Sequence, residues 1–189
     1  MNTIKISFAA LFLSILFSNS ANAQNARGEF INTSIGIGMI ASNDQTDIMG
    51  SGFYAQGEYV YNLFSWFGFR PYAGVVFASG ESEYVAMQEY HVKQNALLVG
   101  AKARITAPIP YVAPFIESGI GMSAGQFKTY TPSVDIDKKG LQLHVPVIFG
   151  LAIGKNHNYE LKFVYYFHPN AEQTSGAVSI GFGFPIDSN

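Results

Sequence analysis

The chain has 189 residues, of which 48% are hydrophobic and 13% charged, with a formal charge of −2 and no cysteine. One domain is the default for that length. The charge balance leaves no basic footprint for nucleic acid, and the lack of cysteine excludes disulfide staples and thiolate chemistry.

The first segment reads as an export signal. Lys5 gives a positive start, residues 8–17 (FAALFLSILF) form a short apolar core, and Ala21-Asn22-Ala23 places small residues where a signal peptidase reads. The apolar run is too short to span a bilayer comfortably, so cleavage is expected after Ala23. Its loss removes one lysine and no acid. The remainder then has ten Lys and Arg against thirteen Asp and Glu, a formal charge of −3. No later stretch offers the ~20 apolar residues of a transmembrane helix. Residues 24–189 are expected to form one domain.

In that domain the apolar residues alternate with a period of two, which means strand, because successive side chains point to opposite faces. Candidate strands fall at about 29–40, 52–62, 67–78, 94–106, 111–123, 141–154, 158–168 and 176–184. In the first, Ile31, Thr33, Ile35, Ile37 and Met39 share one face, with Asn32, Ser34, Gly36 and Gly38 opposite. In the second, Phe53, Ala55, Gly57, Tyr59 and Tyr61 oppose Tyr54, Gln56, Glu58 and Asn62. In the third, Phe67, Phe69, Pro71, Ala73, Val75 and Phe77 oppose Gly68, Arg70, Tyr72 and Gly74. The fourth sets Leu97, Val99, Ala101, Ala103 and Ile105 against Gln94, Gly100, Lys102 and Arg104. The fifth sets Val112, Pro114, Ile116, Ile120 and Met122 against Glu117, Gly119 and Gly121. The sixth sets Leu143, Val145, Val147, Phe149, Leu151 and Ile153 against Gln142, His144 and Gly150. The seventh sets Leu161, Phe163, Tyr165 and Phe167 against Glu160, Lys162, Tyr166 and His168. The eighth sets Val178, Ile180, Phe182 and Phe184 against Ser179, Gly181 and Gly183.

Each strand has roughly the ten residues that a tilted strand needs to cross a bilayer. The formal charges fall on the polar face, apart from the terminal Glu29, whose facing is open. The polar face is rich in glycine, which suits a narrow interior, whereas the apolar face is broad and aromatic. Left in water, such a face would aggregate. The 11 Tyr and 16 Phe would furnish two interfacial girdles. Connections at Leu63–Trp66, Ala107–Pro110 and Lys155–His157 are short, whereas Ala41–Ser51, Ser79–Lys93 and Ala124–Gly140 are long and Pro169–Ser175 is of medium length. Short turns at one end and long loops at the other mark an outer-membrane barrel. The expected fold is thus all-β, an eight-stranded antiparallel up-and-down transmembrane β-barrel. Pro71, Pro114 and Pro146 each remove a ladder donor, so bulges or local irregularity are expected there.

Inside, Glu58, Glu117 and Glu160 face Arg70, Lys102, Arg104 and Lys162. A three-residue turn at 63–65 would oppose Glu58 directly to Arg70, and all these charges except Glu117 are expected toward the short-turn end. An eight-stranded interior is just filled by side chains, and buried charges must be paired. The expected result is a polar lumen closed by a charge network; a proton- or ion-conducting path is the functional alternative. His144 and His168 are expected inward near the long-loop ends, as hydrogen-bonded interior histidines or, with no carboxylate partner defined, as a weak metal pair. No cofactor or metal is expected. Asp135 and Asp137 lack the glycine and glutamate of a calcium loop and read as solvated loop charge, as do Glu81, Glu83, Glu89 and His91.

The signal peptide, the alternating strands, the sorted loops and Gly181–Phe184 (GFGF) together resemble the small outer-membrane β-barrel proteins of Gram-negative bacteria, the OmpA/OmpX-like eight-stranded group. The resemblance covers residues 24–184. It implies localisation in the cell outer membrane, contact with its lipid, insertion by the barrel-assembly machinery, and a structural or surface-interaction role, with a surface ligand of unspecified chemistry at the long loops. Such chains commonly end on an aromatic residue that this machinery reads; here Phe184 is followed by Pro-Ile-Asp-Ser-Asn, so either the signal is internal, at Phe182 or Phe184, or insertion takes a less standard route. A second resemblance, over about 20 residues, is to the outer-membrane lipid A deacylases, with their His-x-Ser-Asn element near the last strands. His168, Asn170 and Ala171 echo it, which would make His168 catalytic at a rim site. The nucleophilic serine would fall at Pro169 or Asn170, and spacing gives no reason to bring Ser175 or Ser179 beside His168. Without an activated nucleophile beside its base, acyl transfer is not supported. The reading from sequence is therefore non-enzymatic, with the lipid-modifying enzyme and a narrow pore as alternatives.

Overall fold

A computed structural model describes residues 28–43, 48–81, 90–169 and 173–186. The signal peptide with its cleavage point after Ala23, Glu83 and Glu89, and Asn170 and Ala171 lie outside the described residues. The strands are β1 (Gly28–Ser42), β2 (Met49–Asn62), β3 (Phe67–Glu81), β4 (His91–Thr106), β5 (Val112–Tyr130), β6 (Asp135–Ile153), β7 (Tyr159–His168) and β8 (Gln173–Pro185). Each pairs antiparallel with the next, and β1 closes on β8. The all-β, eight-stranded up-and-down barrel expected from the alternation is the fold.

The closure is staggered. Stepping from Gly28 through Asn62, Gly68, Arg104, Glu117, Ile148, Val164 and Ala177 returns to β1 at Gly38, ten residues further on. Eight strands with such a stagger tilt by about 40° and leave an interior just wide enough for side chains.

The inward and outward faces follow the alternation on every strand. Ile35, Phe53, Phe69, Leu97, Ile120, Phe149, Phe163 and Ile180 lie exposed on the outside. Glu29 joins the outward set, in phase with Ile31. The interior differs from the wholly polar lumen expected. Tyr54, Tyr72, Val76, Leu98, Ile148 and Tyr166 are buried inward and form an apolar and aromatic layer. They sit on the polar parity of their strands, so parity assigned their direction but not their chemistry.

Three local expectations are corrected. First, the connections are 43–48, 82–90, 131–134 and 169–172 at one end and 63–66, 107–111 and 154–158 at the other, so the strands consume most of the predicted long loops. The clearest case is Ala124–Gly140, where β5 and β6 stay paired up to Tyr130↔Asp135. Asp135 and Asp137 are therefore strand residues. Lys128 Nζ lies 3.1 Å from Asp137 Oδ2, and Gln126 Nε2 donates to Oδ1 at 3.3 Å. These two partners hold the Asp137 carboxyl below its ordinary range. At the tip, Thr131 N donates to Val134 O at 2.8 Å, and Thr131 Oγ1 accepts from Ser133 N and Val134 N. Glu81 and His91, also expected in a loop, end β3 and begin β4 as a cross-strand pair.

Second, and only in part, the local irregularity expected at the prolines appears at Pro71 and Pro146 but not at Pro114, and none of the three brings a bulge or a register shift. The ladder lapses beside Pro71 between Glu58↔Tyr72 and Tyr61↔Phe69, and beside Pro146 between Ser118↔Val147 and Gly121↔His144. It then resumes in the same register, and Pro114 pairs with Leu151 without interruption. Each proline removes one donor but leaves the extended path intact.

Third, the first short turn is not a three-residue loop. Phe64 and Phe67 exchange N–H···O bonds of 3.0 and 3.3 Å around Ser65-Trp66, while Asn62 still faces Gly68. Leu63 is thereby an extra residue, a bulge of the kind found at barrel rims. The register that results opposes Glu58 to Tyr72 rather than to Arg70.

Candidate functional site

The structure brings all seven predicted charges together, although five separate strands carry them and only Arg104 and Glu117 are direct cross-strand partners of opposite sign. Glu117 was expected apart from the rest. Its place opposite Arg104, two residues from the end of β4, puts it in the same short-turn half. All seven side chains are buried.

The arrangement has a simple logic. Each carboxylate meets three cations. Glu58 meets Arg70 at 3.1 Å, Lys102 at 3.0 Å and Lys162 at 2.7 Å. Glu117 meets Lys102 at 2.6 Å, Arg70 at 3.7 Å and Arg104. Glu160 meets Arg104 at 2.5 Å, Lys162 at 2.9 Å and Arg70 at 3.3 Å. Lys102, Arg104 and Lys162 therefore each bridge a different pair of carboxylates, and Arg70 alone touches all three. Burying a charge costs several kcal/mol unless geometry and hydrogen bonds repay it; here every carboxylate is repaid threefold. Neutral groups complete the shell. Gln56 Nε2 donates to Glu58 Oε1 at 2.9 Å, Lys162 Nζ donates to Asn32 Oδ1 at 2.8 Å, and the Arg104 guanidinium lies 3.5 Å over the Phe115 ring.

Toward the other end lies a second polar system. His144 and His168 face inward as expected, and they meet through a residue the sequence reading passed over. Ser123 Oγ lies 2.7 Å from His144 Nδ1 and 2.9 Å from His168 Nε2. Tyr72 Oη lies 2.5 Å from His144 Nε2. Ser123 shares its parity with Glu117, Gly119 and Gly121, and that was the available signal. Glycine makes the approach possible, since a Cβ on Gly100 would stand 2.7 Å from Tyr72 Oη, and one on Gly121 would collide with both Tyr72 and His144. Tyr166 Oη donates to Gln56 Oε1 at 2.5 Å, which ties this layer to Glu58 below.

The rim site imagined at His168 is not formed. Its side chain is 0% exposed, inside the wall, packed on Phe127 and 5.5 Å ring to ring from His144. A lipid on the outer face of the barrel does not reach it. Ser175 and Ser179 are also buried inward, and the Oγ of each is without a hydrogen-bond partner among the described residues. Nor does a third His, Cys, Asp or Glu complete a metal cluster among the described residues.

Ser123→Ala removes only the hydroxyl and strands two buried imidazole nitrogens. It should lower stability by about 1–3 kcal/mol, read as a shift of the urea midpoint of the detergent-solubilised protein; an unchanged midpoint would show that the bridge contributes nothing.

No protein-family model matches the chain, and no curated protein sequence does. Solved structures do. Neisserial surface protein A (NspA) superposes with a TM-score of 0.54 at 13% identity, over 84% of this chain and 97% of that one. The outer membrane protein OprG from Pseudomonas aeruginosa gives 0.53 at 9% identity, over 87% and 99%. The outer membrane enzyme PagL gives 0.44 at 14%, over 83% and 99%, a likeness too slight to bear on chemistry. The structures that this chain resembles are small eight-stranded outer-membrane β-barrels, and at such identities what is shared is the fold.

Proposed function

We propose that the chain is a non-enzymatic integral protein of a Gram-negative outer membrane, exported by the signal peptide ending at Ala23 and inserted by the barrel-assembly machinery. Its lumen is closed by Glu58, Arg70, Lys102, Arg104, Glu117, Glu160 and Lys162. Its work is structural, or is done at the outer end, where the β5–β6 hairpin and the connections 43–48 and 82–90 offer a surface to a ligand.

The observation that supports this most is the opposition of the two faces. The outside is a continuous apolar and aromatic belt, while the inside is filled across its width by paired charges. A lipid-facing wall around an interior packed with ion pairs favours a closed lumen over a pore or an enclosed substrate site. Two layers close the lumen, the charge network and the Tyr54–Tyr72–Tyr166 layer beyond it.

The purified protein, folded in a planar bilayer, is expected to give no single-channel steps, and incubation with lipid A is expected to release no acyl chain. Discrete steps would favour the narrow pore. Acyl release abolished by His168→Ala would favour the lipid-modifying enzyme.

A further inference from the structure

The charge network does not balance. Three carboxylates face four cations, and the other titratable groups beside them in the lumen are tyrosines and histidines. An unmatched charge at this depth costs several kcal/mol.

The excess has an address. Arg70 is the cation shared by all three carboxylates, and its Nε is buried without a hydrogen-bond partner among the described residues. Arg70 and Arg104 line a cavity of about 30 Å³ at the short-turn end, with Asn32, Asn62, Asn156, His157, Asn158 and Glu160. Lys162 Nζ binds the Asn32 carbonyl oxygen, so the Asn32 amide directs its N–H groups elsewhere. Its Nδ2 lies 3.8 Å from where a Cβ on Gly183, another lining residue, would stand. The 154–158 turn carries His157 into this mouth through a left-handed backbone (φ 54°), with its Nε2 3.1 Å from Ile109 O.

We infer that this mouth binds one small monovalent anion of the halide type, held by Arg70, Arg104 and Asn32. The cavity has room for one small ion, and a single negative charge is what the network lacks. Glu160 on the wall opposes a second negative charge. One bound halide makes the buried network neutral. The inference rests on the proposed closed lumen, yet the two fail separately: channel steps would overturn the closure, whereas the measurements below address the anion.

The folded protein in uncharged detergent is unfolded thermally in sodium chloride, bromide or gluconate at equal ionic strength. Chloride and bromide should raise Tm saturably, by about 3–6 °C at tenfold above Kd, relative to gluconate, which does not fit. A crystal soaked in bromide should show its anomalous peak between Arg70 and Asn32. Arg70→Gln removes the excess charge and should abolish the halide dependence. Should that variant not fold, Asn32→Asp supplies the missing negative charge with nearly the same shape and should abolish it as well. Identical Tm in the three salts with no bromide peak, or halide dependence surviving in a folded variant, overturns the inference.

Discussion

Glu58→Gln should destabilise the barrel by about 3–5 kcal/mol, the cost of breaking a buried pair from one side. The substitution keeps the shape of the side chain and removes one of three carboxylates. Arg70, Lys102 and Lys162 each lose a partner at 2.7–3.1 Å, and the network is left with two negative charges against four positive. Arg70→Gln is the informative comparison. It removes as many ion pairs, because Arg70 reaches all three carboxylates. It nevertheless leaves three charges against three, with every carboxylate still held by two cations. The destabilisation should therefore be clearly smaller for Arg70→Gln, although counting bridges alone predicts that it is as large. Urea unfolding of the two variants in phospholipid vesicles, followed by heat-modifiable gel mobility, reads both values. If Arg70→Gln proves the more damaging, charge balance is not what organises the lumen.

Ile120→Arg should cost about 2–4 kcal/mol, as expected for a cation facing lipid near the bilayer midplane. Ile120 is 74% exposed on β5, opposite Ala101 and well inside the apolar belt. By the inside-out rules of a water-soluble protein, the same change at so open a position would be nearly neutral. Ser79→Arg supplies the control. Ser79 also points outward, but it lies at the outer margin beside Lys93, where a cation costs about 0–1 kcal/mol. Equilibrium unfolding in vesicles should separate the two variants by more than 1 kcal/mol. Equal costs would mean that the belt does not lie in lipid.

Period-two patterning located all eight strands and their inward residues, because burial against lipid and burial in the lumen impose opposite chemistry on neighbouring positions. It failed at the outer ends. Beyond the belt the outward positions become Gln126, Lys128, Asp137 and Lys139, and the apolar signal stops while the backbone ladder continues. Lipid selects side chains; hydrogen bonding between strands needs no lipid. Contacts inside the lumen were legible as a set but not as a network. Which carboxylate meets which cation depends on the stagger and on the bulge at Leu63, both fixed by backbone geometry that no single residue announces. Ser123 was missed for a related reason: it gains its meaning only when β6 and β7 bring His144 and His168 to it.

The hairpin extension also gives the molecule a handle. From Gly125↔Gly140 to Tyr130↔Asp135 the ribbon continues the barrel wall, and about 3.3 Å per residue carries it roughly 20 Å along the strand past Ala124. The tight Thr131–Val134 tip is thus borne on a stiff lever, braced where Tyr130 stacks with Tyr90 and His91. A short epitope grafted at Pro132-Ser133 would stand clear of the bilayer for display, with its anchorage in the same two strands that hold Ser123 and His144.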